Sequence, residues 1–185
     1  MQILLREVRL SFPAIWKAES VNGGDPSFGA AFIIEPGSEN AIKFDAAMKE
    51  VAATKWKEKA PAILEELIKK DRVCFRKSPM TDSEGQVYEG FENMNWTRAN
   101  NKVQPKIIDR NKVELAEKDG KPYSGCYVNV SIDVWPQDNT NGKRINATLL
   151  AIQFVKDGEG FSGGARSDGS EFDDLGVDAT DDVFS

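Results

Sequence analysis

The stretch Gly125 to Trp135 (GCYVNVSIDVW) decides the fold class of this chain, because apolar and polar residues alternate strictly along it. Successive side chains of a strand point to opposite faces, so this period of two predicts a strand with one apolar face. The apolar face carries Cys126, Val128, Val130, Ile132 and Val134, and the other face carries Tyr127, Asn129, Ser131, Asp133 and Trp135. The segment Arg144 to Lys156 (RINATLLAIQFVK) predicts an antiparallel partner strand across a turn at 136–143, which contains Asn141-Gly142.

Further strands are predicted upstream of this hairpin. In the first of them, we expect Leu4, Val8, Leu10 and Phe12 to share the apolar face. Glycine, proline or polar turn residues bound these segments. The predicted strands are Ile3 to Phe12, Phe28 to Ile34, Arg72 to Lys77, Tyr88 to Arg98 and the short piece Lys106 to Asp109.

Between the second and third of these strands the apolar period changes to that of a helix. Ser38 is a suitable N-cap, and apolar residues then recur at helical spacing as far as Trp56. Pro61 suits the first turn of a second helix, where its missing N–H is not needed. We expect Met48 and Trp56 to pack against the sheet.

Several short strands with one early helical insert predict a mainly β fold, an OB-fold-like five-stranded Greek-key barrel. The expected domain comprises residues 1–157, with the helical insert at about 38–70. Residues 158–185 are expected to be a glycine- and serine-rich linker and an acidic tail.

The last eighteen residues, 168–185 (DGSEFDDLGVDATDDVFS), carry seven acidic side chains and no basic one. Sparse apolar residues and repelling charges predict that this tail is disordered. It can imitate a nucleic-acid strand or bind other proteins, and a purely solubilising role is the alternative. The tail residues that we expect to contact partners are Asp173, Asp174, Asp181, Asp182 and Phe184.

The charge balance of the chain depends on this tail. The formal net charge is -6, from 24 basic and 30 acidic residues, but without the tail the acidic residues number 23. A nearly neutral folded part can still hold a basic groove, because local fields decide binding. Histidine is absent, which excludes His-dependent triads and the common zinc sites. Cys74 and Cys126 lie in apolar runs, which predicts buried free thiols. No apolar run is long enough to span a bilayer.

The segment 88–106 combines the two kinds of side chain that single-strand binders need. Bases stack on aromatic rings, and cations follow the phosphates. In a strand, Tyr88, Trp96 and Arg98 would share one face, although Trp96 could instead belong to the core. The candidate residues of this segment are Tyr88, Trp96, Arg98, Lys102 and Lys106.

Three other places offer the same chemistry. Tyr127 and Trp135 lie on the polar face of the alternating strand, where they could form a stacking platform or pack under the helices. Lys143 and Arg144 lie at the hairpin tip, where cations can contact phosphates. Arg76 flanks a short predicted strand and is a weaker candidate.

Three stretches resemble a family of phage-encoded single-stranded DNA-binding proteins built on an OB-fold. They are RLSFPAIWKAE (9–19), SFGAAFII (27–34) and, most specific, SGCYVNVSIDVWPQDNTNGKRINATLLAIQFVKDGEGFSGG (124–164). The resemblance spans about residues 1–165. It implies sequence-independent binding of single-stranded DNA and an acidic tail that contacts replication partners such as a polymerase or helicase. It also implies action in DNA replication or recombination, in the cytoplasm of an infected bacterium. Tails of this family usually end on the aromatic residue, whereas Ser185 follows Phe184 here.

Two other functional classes stay open at this point. A metal-dependent nuclease needs converging carboxylates, and Asp109, Glu114 and Asp133 form no such cluster on one strand. A protein–protein adaptor of phage assembly would use only the tail. The sequence therefore predicts a protein without catalytic residues, metal or other cofactor, and without a membrane partner. A second copy of the chain is a further candidate partner.

Overall fold

A computed structural model describes residues 1–20 and 23–161, in which the strands form one sheet. The strands are β1 (Gln2–Glu19), β2 (Ser27–Ile34), β3 (Phe75–Arg76), β4 (Asn95–Asn101), β5 (Lys106–Ile108), β6 (Tyr127–Asn139) and β7 (Gly142–Lys156). The α-helices are α1 (Glu39–Trp56) and α2 (Ala60–Lys69), which the short 3-10 helix Lys57–Lys59 joins.

The sheet closes into a five-stranded barrel. Strand β1 pairs antiparallel with β2 and β6, β2 pairs with β4, and β6 pairs with β7. A parallel contact between Asn100 of β4 and Thr148 of β7 completes the ring in the order β1-β2-β4-β7-β6. Strands β3 and β5 add to β4 and β7 respectively. The predicted OB-fold-like barrel with a helical insert is confirmed.

The alternation predicted for β6 is confirmed residue by residue. Its predicted apolar face, from Cys126 to Val134, points into the barrel and is fully buried. Burial raises the pKa of the Cys126 thiol to about 11, because the apolar interior disfavours the thiolate. Both cysteines are free thiols, with Cys126 buried and Cys74 partly buried. The hairpin turn is tighter than predicted, since Asn139 already pairs with Gly142.

The face predicted for β1 is wrong in part. Leu4 and Phe12 are exposed, whereas Leu5 is fully buried together with Val8 and Leu10. The register shifts between Leu5 and Val8 and again after Ser11, and these bulges contain Glu7 at φ 50° and Phe12 at φ 47°. Each bulge adds a residue and reverses the alternation, so a single period of two cannot describe this strand.

The predicted strand from Tyr88 to Arg98 is also shorter in the structure, where β4 begins at Asn95. The preceding residues turn through left-handed conformations, at Gly90 (φ 85°) and Asn93 (φ 57°). They place Phe91 on the outer surface of β2, where it packs with Ala31 and Ile33. Both faces of β2 are therefore buried.

The helical insert is confirmed, and its buried side chains form one hydrophobic core with those of the barrel. The Ser38 side chain caps α1 by accepting from the Ala41 amide at 3.3 Å. Met48 and Trp56 are buried as predicted. The ring of Phe44 in α1 stacks on Phe75 of β3, with centroids 4.8 Å apart and an interplanar angle of 14°.

We predict that Phe44→Ala destabilises the protein by about 3–5 kcal/mol, because it leaves a cavity in a fully buried site. Denaturant unfolding measures the change in the free energy of unfolding. Ile42→Ala on the same helix is the control, since Ile42 is 64% exposed, and it should change stability by less than about 0.5 kcal/mol. Equal effects of the two substitutions would contradict this account of the core.

Candidate nucleic-acid interface

A cleft of about 260 Å³ opens on the outside of the barrel between β3, β4 and β7. We call it the arginine cleft. Its polar and aromatic side chains are Arg76, Trp96, Arg98, Asn100, Arg144 and Asn146. Four of the predicted site residues therefore lie together, namely Arg76, Trp96, Arg98 and Arg144.

Strand alternation and barrel closure produce this cleft. On β4, Thr97 and Ala99 point inward and are fully buried, so Trp96, Arg98 and Asn100 point outward. On β7, Ile145 is buried, and its neighbours Arg144 and Asn146 line the cleft. The β4–β7 contact at Asn100 and Thr148 brings these two outward faces side by side.

Gly29 of β2, which has no side chain, leaves room for the side chain of Asn100 in the cleft. A Cβ atom at Gly29 would lie 2.1 Å from Oδ1 of Asn100 and 3.0 Å from the Ala99 carbonyl oxygen. Any larger residue at position 29 would therefore displace the Asn100 amide. Glycine inside a strand commonly marks such a close approach.

The Trp96 ring is fixed in its position and only half-buried. Its Nε1 donates a hydrogen bond to the Ser78 carbonyl oxygen at 2.8 Å. Its ring meets Phe91 edge to face, with centroids 6.4 Å apart. Trp96 thus belongs neither to the barrel interior nor to free surface, and its ring is available at the wall of the cleft.

The cations of this region differ in whether an acidic group already neutralises them. Within residues 1–20 and 23–161, Arg98 and Arg144 form no ion pair. Arg76 pairs with Asp71, with its Nη1 2.6 Å from Oδ1. The two unpaired guanidinium groups therefore leave the cleft with positive charge that is open to an anion.

Two of the predicted lysines are also paired. Lys143 lies 2.9 Å from Asp138, and Lys102 lies 2.9 Å from Asp25. Each lysine lowers the pKa of its aspartate, chiefly through the hydrogen bond to the carboxylate. The negative charge of the aspartate would oppose a phosphate at either lysine.

A second cleft, of about 680 Å³, adjoins the first, and we call it the aromatic cleft. Phe12 and Tyr88 line it, with ring centroids 4.9 Å apart in an edge-to-face arrangement. Arg98 lines both clefts and so connects them. Sequence reasoning missed Phe12, because the bulge that turns its ring outward left no signal in the apolar pattern.

The start of the predicted linker packs at the aromatic cleft. Arg9 lies 4.1 Å from the ring centroid of Phe161 and donates to the Glu159 carbonyl oxygen at 2.6 Å. The Phe161 ring also covers Gly90, where a Cβ atom would lie 2.4 Å away. The tail residues Asp173, Asp174, Asp181, Asp182 and Phe184 lie outside the described residues.

The remaining predicted residues line neither of these two clefts. Trp135 is exposed and donates to Thr148 Oγ1 at 2.9 Å, which places it beside the β4–β7 contact. Lys106 lines a third cleft of about 570 Å³, with Trp16 and two glutamates. Tyr127 lies near Lys156, whose Nζ is 4.9 Å from the ring centroid.

The part of the chain that the structure describes has neither a candidate metal site nor a helix able to span a membrane. No group of three or more acidic or cysteine side chains there could hold a metal ion. None of the helices there has both the length and the apolar content needed to cross a membrane.

Comparison with known proteins gives consistent matches along the whole chain. The family model of the single-stranded-DNA-binding protein of Enterobacter phage Enc34 matches residues 1–184. Putative protein p50 of Acyrthosiphon pisum secondary endosymbiont phage 1 is 36% identical over 181 residues, covering 96% of this chain and 95% of that protein.

Solved structures show the same fold. The single-stranded DNA-binding protein from bacteriophage Enc34, in complex with single-stranded DNA, is 25% identical with a TM-score of 0.69, over 86% of this chain and 89% of that chain. The gp2.5 single-stranded DNA-binding protein of bacteriophage T7 is 11% identical with a TM-score of 0.52, over 90% of this chain and 97% of that chain, and this likeness concerns the fold alone. The chain therefore belongs to the Enc34 family of phage single-stranded-DNA-binding proteins, which are binding proteins and not enzymes.

Proposed function

We propose that this protein binds single-stranded DNA in the arginine cleft without regard to base sequence. The main support is that Trp96 and Arg98 of β4 line one cleft with Arg144, which is distant from them in the chain. OB-folds bind oligonucleotides on the face of their second and third strands and at two loops, one of which joins strands four and five. In this barrel those features are β2, β4 and the β6–β7 hairpin, and the arginine cleft is lined by β4 and by the β7 strand of that hairpin.

The chemistry of the cleft suits any nucleotide. Every base has a π-face that can stack on Trp96, and every nucleotide has a phosphate that Arg98 or Arg144 can contact. The hydrogen bond from Trp96 to Ser78 already fixes the ring, so little side-chain freedom is lost on binding.

The other predicted residues would extend this contact along a longer strand. Tyr88, with Phe12 beside it, continues from Arg98 into the aromatic cleft, and Trp135 of β6 pairs with Asn146 of the arginine cleft. We expect the paired cations to contribute less than the two arginines without an ion pair, because the neighbouring aspartate offsets part of their positive charge. These paired cations are Arg76, Lys102 and Lys143. Lys106 and Tyr127 line neither of the two clefts, so only a longer strand would reach them.

The acidic tail is the proposed regulator and partner-binding element. Residues 1–157 would form the DNA-binding domain and 158–185 the linker and tail. Phe161 of the linker lines the aromatic cleft together with Arg98. In this proposal the carboxylates of the tail, which follows the linker in the chain, compete with phosphate at Arg98. DNA would displace the tail and free it to recruit replication proteins such as a polymerase or helicase. In this proposal the protein acts in phage DNA replication or recombination, in the cytoplasm of the infected bacterium.

A mobility-shift assay with single-stranded and duplex oligonucleotides of the same length, with and without magnesium, tests the proposed function. We predict retarded, intact DNA and a clear preference for the single strand. Cut DNA would support a nuclease, and the absence of any shift would support the adaptor.

We predict that Arg98→Ala and Arg144→Ala each weaken binding to oligo-dT roughly tenfold, equivalent to about 1.4 kcal/mol. Each should also reduce the slope of log K against log salt by about 0.7, because one phosphate contact is lost. Fluorescence anisotropy at several salt concentrations measures both quantities.

Lys69→Ala is the matched control for these two substitutions, since it removes one positive charge from α2, where Lys69 pairs with Glu65. The affinity of this control variant for oligo-dT and its salt slope should stay close to those of the unsubstituted protein. If the arginine variants also keep the original slope, DNA does not lie in the arginine cleft.

We predict that deleting residues 168–185 tightens binding, most strongly at low salt. The tail competes electrostatically, and salt screens charges beyond about 8–10 Å at physiological ionic strength. Titrations of full-length and truncated protein at two salt concentrations measure the effect. An unchanged or weaker affinity of the truncated protein would rule out competition by the tail.

A further inference from the structure

The β6–β7 hairpin extends beyond the closed barrel as a two-stranded ribbon. Pairing between β1 and β6 ends at Gln2 and Asp133, and β4 meets β7 only at Thr148. The ribbon formed by residues 135–139 and 142–147 therefore has no long neighbouring strand within the described part of the chain. A two-stranded hairpin alone is marginally stable in water. Yet this ribbon carries Lys143 and Arg144, whose position matters for the proposed function.

Arg72 holds the ribbon from the end of α2. Its amide donates to the Leu67 carbonyl oxygen of α2 at 2.8 Å, and its own carbonyl oxygen accepts from the Ile145 amide at 3.0 Å. Its guanidinium donates from Nε to the Lys143 carbonyl oxygen at 2.9 Å and from Nη2 to that of Asn141 at 2.8 Å. All of its bonds to the ribbon are thus to main-chain groups and depend on the conformation of the turn.

A second contact comes from the end of α1. The buried Trp56 donates from Nε1 to Asp138 Oδ2 at 2.8 Å, and the other oxygen of Asp138 lies 2.9 Å from Lys143 Nζ. Asp138 and Lys143 face each other across the ribbon. Trp56 at the end of α1 and Arg72, three residues after α2, therefore contact both strands of the ribbon.

We propose that Arg72, with Trp56 and Asp138, is a positioning group that holds the hairpin in its DNA-binding conformation, so that the helical insert serves DNA binding as well as the core. This inference rests on the proposed function, because it assumes that Arg144 and Lys143 contact DNA. Arg72 directs its charge to carbonyl oxygens of the turn, and the proposal assigns it no phosphate contact. A pre-formed hairpin loses less conformational freedom when DNA binds.

Arg72→Gln in the full-length protein tests the proposal. We expect amide hydrogen exchange at 139–145 to become faster in the absence of DNA, and the affinity for oligo-dT to fall roughly three- to tenfold. The salt slope should stay unchanged, because no phosphate contact is removed. Lys70→Gln removes the same charge from a side chain that pairs with Glu66, and it should change neither quantity.

Three results would overturn the proposal. They are a folded Arg72→Gln variant with unchanged affinity, unchanged exchange at the hairpin, or a salt slope reduced by about 0.7 as for a direct phosphate contact. If Arg72→Gln does not fold, Trp56→Phe decides, since it keeps an aromatic ring and removes the hydrogen bond to Asp138. Faster hairpin exchange with weaker binding in Trp56→Phe supports the proposal, and no change overturns it.

The failure of the proposed function would look different. Unsubstituted protein that does not bind oligo-dT would contradict the DNA-binding proposal itself. Hydrogen exchange measured without DNA would still show whether Arg72 orders the hairpin.

Discussion

Closure of the sheet between β4 and β7 is the constraint on which the candidate site depends. The two strands meet in parallel at Asn100 and Thr148, which are far apart in the chain. Closure leaves every barrel strand with an inner face that must be apolar and an outer face that can be polar. Without this contact, Arg98 and Arg144 would lie on opposite edges of an open sheet.

The same strands supply the apolar side chains of the barrel interior and the polar and aromatic side chains of the outer site. Inward residues of β4, such as Ala99, are fully buried, whereas outward residues one position away carry charge or rings. A shift of one residue in β4 would therefore exchange core and site. Packing of Phe91 on Ala31 and Ile33 adds an outer layer that covers β2 and supports Trp96.

The sequence predicted the fold best where one physical period ran without interruption. Cys126 to Val134 alternates strictly, and each residue of its apolar face is buried. In β1, bulges at Glu7 and Phe12 reverse the alternation, so Leu4 and Phe12 were assigned to the wrong face. Such bulges depend on tertiary contacts and leave no local signal in the sequence.

The candidate site was predictable by residue type but not by arrangement. Spacing along β4 correctly paired Trp96 with Arg98, because that relation is local. Arg76 and Arg144 lie near Trp96 and Arg98 only because of the strand order and the closure of the barrel. The spacing of residues along the chain does not reveal either of these. The aspartate partners of Lys102 and Lys143 are likewise visible only in the folded chain.

In the proposed function, single-stranded DNA lies along the outer face of β4 and the start of β7. A hydrogen-exchange footprint of the full-length protein with and without saturating oligo-dT tests it most directly. We predict protection at 95–101 and 139–148, with little change in α1 and α2. Protection confined to 104–117, around the third cleft, or to the helices would contradict the account.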